Sequence, residues 1–261
     1  MHNLFSELIL FQEKQEIRTV AVDFDGTITC EHILPNWVFF LLLHPGMCFR
    51  QKLFFFCASM VRGFLALLFS RFPHLAEKGV KLSYMNFRGM ETDTVKKLIC
   101  GPAPRFFRLI SRFQQGKNPD EMIIHLNRKL LPVLRHVTGL CRTMPEIRIY
   151  SQGCFSLAIR SFLQRSDVKT ALDSAGICSD AVSLEVNEPE TEKDRIFTGR
   201  LKGKIRTKYN RIYDLDESCV FIGDDADERV IRRAGLENVR FVNWKKISIS
   251  EHLHRQDNPA L

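Results

Sequence analysis

Two aspartates one residue apart, Asp23 and Asp25, lie within the run Val20-Ala-Val-Asp-Phe-Asp-Gly-Thr-Ile-Thr29. Carboxylates at this spacing reach one site if the chain turns sharply between them. There they attract a divalent cation, or separate their pKa values so that one attacks while the other carries a proton. Asp-Gly is also a common turn pair, so the spacing alone leaves a plain turn open. A second acidic group, Asp224-Asp225-Ala226-Asp227-Glu228, places four acids in five positions after Gly223. Mutual repulsion makes such a cluster costly in a turn unless a cation binds. Ser151, in Ser151-Gln152-Gly153, stands between a strand-like and a helix-like stretch. A serine there can hold an anion beside free helix N–H groups, or simply cap the helix.

The elements around these residues read as an α/β protein. Thr19–Val22 is a short, β-branched apolar run, as expected of a buried strand. Ile147–Ser151, Cys219–Ile222 and Val239–Val242 repeat that pattern. An apolar strand that delivers carboxylates into a glycine turn puts them at the carboxyl edge of an open sheet, where such sheets bind ligands. Val182–Glu185 and Arg195–Lys202 read as a strand pair joined by the polar stretch Asn187–Asp194. Tyr209–Leu215 and the residues leading to Arg233 read as helices. Met1–Glu16 reads as a brief helix lying on the core.

Between the first strand and the rest lies a long excursion. Trp37–Leu43 is apolar on all sides, His44-Pro45-Gly46 breaks it, and Leu53–Phe69 is apolar but for Ser59, Arg62 and Gly63. A membrane span needs about 18 or more uninterrupted apolar residues. Arg62 falls near the middle, where a lone charge costs roughly 2.5–3.5 kcal/mol on insertion scales. The expectation is therefore a helical hairpin at a membrane face rather than a span, with a well-buried helical module as the alternative. Met90–Leu98, Pro104–Phe113 and Asp120–Val137 read as amphipathic helices with solvated basic faces.

The composition fits a globular chain of one large domain or a core with a second module, with 261 residues, 45% hydrophobic and 26% charged. A net charge of +8 favours phosphate-bearing substrates or an anionic membrane surface as partners. No aromatic-and-basic nucleic-acid motif stands out, so no nucleic acid is expected. The eight cysteines form no C-x-x-C pair, which leaves zinc and thioredoxin-like readings without support. With no signal-like start, the expected setting is cytoplasmic, peripheral on the inner membrane face.

Asp23-Phe-Asp-Gly-Thr-Ile-Thr resembles the D-x-D-x-T motif of the haloacid dehalogenase superfamily, and Ser151, a later lysine and Gly223-Asp224 follow in that family's order. The resemblance implies a doubly wound, Rossmann-like, mostly parallel sheet formed by residues 1–30 and 141–261. A helical cap over 31–140 is inserted where phosphoserine-phosphatase-like members carry theirs, and the later strand pair resembles their β-hairpin. It implies Asp23 as nucleophile and Asp25 as general acid and base. It implies Thr27, Ser151, Gln152, Gly153 and Lys208 around the phosphate, with Lys204 second to Lys208. Mg²⁺ would be held by Asp23, the Asp25 main-chain carbonyl and Asp224, with Asp225 or Glu228, or else Asp227, as a further acid. Phosphoserine phosphatases have Glu nine positions after the nucleophile; here that position is His32, and Glu31 precedes it. The apolar excursion is similar to the caps of bacterial phosphatidylglycerophosphate phosphatases of this superfamily. The implied activity is hydrolysis of a lipid-linked or amphiphilic phosphomonoester. A soluble phosphatase of a small metabolite such as phosphoserine, and a catalytically silent binding module, are the alternatives.

Overall fold

The structure, a computed structural model, describes residues 4–43, 48–70, 72–88, 90–101, 122–192, 195–215 and 217–247. The chain is built on a five-stranded parallel sheet of β1 (Thr19–Asp23), β3 (Glu146–Tyr150), β4 (Ser183–Glu185), β7 (Cys219–Gly223) and β8 (Val239–Asn243). Their order is β4-β3-β1-β7-β8. β1 is central, pairing with β3 (Val22 opposite Ile149) and with β7 (Val22 opposite Ile222).

Alternate residues feed opposite faces, as the two-residue period of a strand requires. Val20, Val22, Ile147, Ile149, Val220, Ile222 and Val242 enter one core. Ala21, Tyr150, Cys219, Phe221 and Val239 enter the other. Both faces are covered, which is why these strands read as apolar runs rather than alternations. α1 (Leu4–Lys14) contributes Leu8 to the first core, so the expected N-terminal helix does lie on the body. The sheet is doubly wound, as the sequence implies. The chain leaves β1, builds β3 and β4 on one side, and returns to build β7 and β8 on the other. The crevice at such a reversal, beyond the carboxyl ends of β1 and β7, is where open α/β sheets take ligands.

The excursion from β1 carries α2 (Ile33–Leu42), α3 (Phe49–Ser70), α4 (Ala76–Tyr84), β2 (Met90–Glu91) and α5 (Thr92–Cys100). The amphipathic stretch expected from Met90 thus begins as a strand, because Met90 and Glu91 pair with a later hairpin. The helix expected over Pro104–Phe113 lies outside the described residues. The helix expected from Asp120 to Val137 begins only at Leu131 as α6 (Leu131–Leu140), since residues before it are used to close the neck of the excursion. There Thr29 bridges Leu126, the Cys30 N–H donates to His125 O (2.9 Å), and the Asn127 N–H donates to Ile28 O (2.8 Å). Arg165 fastens the returning chain from the sheet side, donating to Ile99 O (3.2 Å) and Ile124 O (2.5 Å).

The strand pair differs from expectation. β4 joins the main sheet, and the hairpin partner of β6 (Arg195–Leu201) is β5 (Pro189–Glu192), inside the stretch read as a polar connection. Hydropathy missed β5 because Pro189-Glu-Thr-Glu192 has no apolar face of its own. Backbone pairing to β6 defines the strand instead.

α3 reverses the usual amphipathic arrangement. Its inner stripe is Phe55, Ser59, Arg62, Ala66 and Phe69, facing α4, where a Cβ on Gly79 would stand 3.0 Å from Ala66 O. Its outer face carries Phe49, Leu53, Phe54, Met60, Val61, Phe64 and Leu67, all exposed. A large apolar side chain left in water forgoes roughly 1.5–3 kcal/mol relative to full burial.

Candidate active site

β1 delivers Asp23 to the sheet edge, and a tight turn over Phe24–Ile28 follows. Gly26 takes φ +76, a left-handed conformation that favours glycine, and a Cβ there would also press on the His32 ring at 3.0 Å. The turn closes through the Thr29 N–H to Phe24 O (3.1 Å). Asp23 is 5% exposed. One of its oxygens accepts from Thr27 Oγ1 (3.2 Å), the other from Lys208 Nζ (2.8 Å).

Lys208 opens α9 (Lys208–Tyr213), whose N-cap Thr207 accepts from the Asn210 N–H at 3.1 Å. Lys204 is exposed in the preceding loop, so the two candidate lysines are separated by position: Lys208 alone meets Asp23. Lys208 Nζ also lies 2.5 Å from Asp227 Oδ1. Asp227 is 1% exposed and accepts from the Tyr209 hydroxyl (3.1 Å). The ammonium is thus held between two buried carboxylates. Burial pushes Asp23 up to about 7, opposed by Lys208 and reinforced by Asp227. Burial works against the Lys208 cation, but Asp23 and Asp227 outweigh it and hold the group above its ordinary range.

Asp25 faces a different set of donors. Its Oδ2 accepts from Ser151 Oγ (2.7 Å) and its Oδ1 from the Ile33 N–H at the start of α2 (3.1 Å). Ser151 follows β3 and is not a helix cap: its Oγ accepts from the Cys154 N–H (2.9 Å), and α7 (Ser156–Leu163) and α8 (Ser166–Ser174) start later. Gln152 and Gly153 lie half-buried in the turn beside it. Glu31 holds His125 at the neck, accepting its N–H (2.8 Å) and meeting Nδ1 (2.7 Å).

The acidic cluster divides. Asp224 is the N-cap of α10 (Asp225–Ala234), accepting from the Ala226 and Asp227 N–H groups. Lys245 Nζ stands 3.4 Å from its other oxygen. Asp225 and Glu228 turn to Asn243 and Lys246, at 2.8 and 2.7 Å from Asn243 Nδ2. Partial burial alone would raise Glu228, but hydrogen bonds from Lys246, Asn243 and Arg232 outweigh it and bring it down to about 2. The acid brought to Lys208 is therefore Asp227, while Asp225 and Glu228, candidates from the sequence for a further metal-site acid, meet Asn243 and Lys246. A sequence signal for it exists: Asp224-x-x-Asp227 is a reciprocal capping box, which turns its N3 side chain back toward the N-cap.

The donors for a metal are all oxygens. The Asp23 carboxylate and Asp25 carbonyl sit at the end of β1, and the Asp224 carboxylate just past the adjacent β7. Hard oxygen ligands at one sheet edge suit Mg²⁺, which keeps several waters and needs few protein groups. Among the described residues, no group of three His, Cys, Asp or Glu side chains is placed to hold a metal ion.

The fold and site define an α/β protein with paired aspartates, a buried lysine and a serine at its switch point. No family model matches the chain, and no curated protein does. Among solved structures it is similar to a phospho-aspartyl intermediate analogue of phosphoserine phosphatase, at 14% identity, covering 92% of this chain and 99% of that one, with TM-score 0.45. It is also similar to a substrate-bound phosphoserine phosphatase complex, at 13% identity, 92% and 99% coverage, TM-score 0.45. A phosphoserine phosphohydrolase-like protein from Francisella tularensis matches at 15% identity, 87% of each chain, TM-score 0.42.

Proposed function

We propose that this chain is a Mg²⁺-dependent phosphomonoester hydrolase of the haloacid dehalogenase type, acting through an aspartyl-phosphate on lipid-linked or amphiphilic phosphates. The observation that carries the reading is Lys208 Nζ set between Asp23 and Asp227, beside the Asp25–Ser151 pair. A carboxylate is a competent phosphoryl acceptor, and a fixed cation next to it stabilises the transferring group. An Asp23 oxygen attacks phosphorus, the bond from phosphorus to the leaving oxygen breaks, and Asp25 supplies that oxygen's proton. Water then attacks the phosphorus of the phosphoaspartate, Asp25 takes the water's proton, and the Asp23 carboxylate and inorganic phosphate are released. Thr27, Ser151, Gln152 and Gly153 line the phosphoryl position. Asp23, the Asp25 carbonyl and Asp224 would hold Mg²⁺, which supplies charge neutralisation at the phosphate.

The excursion acts as a cap. We place its bounds at 31–125 rather than 31–140, a reading supported by the neck that closes where Thr29 bridges Leu126. The exposed apolar face of α3 supports an amphiphilic substrate and a location at a membrane surface.

The assay is phosphate release with and without Mg²⁺ from an aryl phosphate, phosphoserine, and phosphatidylglycerophosphate in micelles. Turnover is expected to need Mg²⁺ and to favour the micellar substrate. Preference for phosphoserine would move the reading to a soluble metabolite phosphatase, and absence of turnover on all three would leave a binding module. Within the acidic cluster, Asp227→Asn is expected to lower kcat by about 10–100-fold, because it loosens the Lys208 that faces the reacting group. Glu228→Gln should leave kcat within about threefold, since Glu228 serves Lys246, Asn243 and Arg232. Equal losses from the two variants would mean that Asp227 has no special place.

A further inference from the structure

The outer face of α3 has no role in the chemistry above. The helix is 22 residues, about 33 Å long, which is enough to cross a bilayer. Only 6% of its apolar window is buried. Phe54, Phe64 and Leu67 are 76%, 67% and 71% exposed, and Phe39 and Leu43 of the α2 end are exposed as well. The opposite face is committed to protein. Arg62 donates to Met85 O (3.4 Å) and Asn86 Oδ1 (3.3 Å), and α4 approaches closely at Gly79. A spanning α3 would carry α4, with Glu77, Lys78 and Lys81, into the hydrocarbon with it. That cost is avoided if the helix lies flat.

Charge selects the occupant. Between Ile33 and Arg88 the sequence has Arg50, Lys52, Arg62, Arg71, Lys78, Lys81 and Arg88 against a single acid, Glu77. Arg50, Lys78, Lys81 and Arg88 are exposed. A second copy of the chain would oppose like charges across such a face, whereas an anionic leaflet offers complementary charge beside acyl chains.

We infer that α3 docks in the plane of an anionic bilayer, its Phe54–Phe64–Leu67 face in the acyl boundary and its Arg62 face on α4. The helix is a monotopic foot, not a span. Sinking apolar side chains to the acyl boundary adds to the electrostatic attraction of the basic rim.

The test uses the whole chain and vesicles of phosphatidylcholine, with or without phosphatidylglycerol, read by flotation. Wild type is expected to float with the anionic vesicles. The triple change Phe54→Ser, Phe64→Ser, Leu67→Ser should weaken this by about tenfold or more. A second variant, Arg50→Glu on α3 itself, leaves the apolar face intact and should weaken binding to the anionic vesicles alone. Orientation is read from tryptophans placed by Met60→Trp at mid-helix and Leu67→Trp near its end, both on the exposed face and about 10 Å apart along the axis. A flat helix gives both the same quenching by lipids brominated at one shallow depth. Strongly unequal depths would establish a span and overturn the inference. Failure to float would overturn it too, and a dimer dissolved by the triple change would assign the face to a second copy. The Asp23→Asn chain should float like wild type, so loss of activity and loss of docking are separable results.

Discussion

Replacing Asp23 with asparagine is expected to abolish phosphate release while leaving the fold intact. The change is isosteric, but the amide cannot serve as the phosphoryl acceptor. Removal of a covalent nucleophile costs enzymes on the order of a thousandfold or more in kcat, so at least about three orders of magnitude are expected here. Stability should move little or rise. Burial already penalises the Asp23 charge, which is why its carboxyl is pushed up to about 7. A neutral side chain escapes that penalty, and Lys208 keeps Asp227 as its partner at 2.5 Å. Phosphate release and thermal unfolding on the same preparation check both halves. A variant that turns over within tenfold of wild type would remove Asp23 from the chemistry.

Lys208→Met should have the largest effect on stability. It leaves Asp23 and Asp227, 5% and 1% exposed, facing each other without a cation. Breaking a buried ion pair from one side costs about 3–5 kcal/mol, because the remaining charge is stranded. Turnover should fall by about a hundredfold or more, since the cation beside the transferring group is gone. The cause can be isolated. Adding Asp227→Asn to Lys208→Met removes one of the two stranded carboxylates, so the double variant should be more stable than Lys208→Met alone in urea unfolding. If instead the two losses simply add, the buried triad is not the source of the destabilisation. Lys208→Arg keeps the charge but brings a planar fork to a position built for a compact ammonium, and should recover stability better than turnover.

The sheet and the gathering of the candidate residues at its edge were legible in the chain. Thr19–Asp23, Glu146–Tyr150 and Cys219–Gly223 announce themselves because strands buried on both faces must be apolar throughout, and the polar residues that follow mark the sheet edge. Ser151 and Lys208 were found through order along the chain, which fixes which strand ends become neighbours once the sheet is wound. Hydropathy could not reveal β5, a strand held by backbone pairing with polar side chains.

Which acid of the 224–228 cluster reaches Lys208 was decided by tertiary structure. The choice depends on where α10 begins, and one residue of shift rotates every side chain by about 100° around the axis. With Asp224 as the N-cap, Asp227 turns inward to Lys208 while Asp225 and Glu228 meet Asn243 and Lys246. The direction of α3 was open for a related reason. A helix apolar on nearly all sides has no periodic signal to say which face is inside. The small and polar residues at Ser59, Arg62 and Ala66 let α4 approach there, and the Phe and Leu residues were left on the outside by that contact.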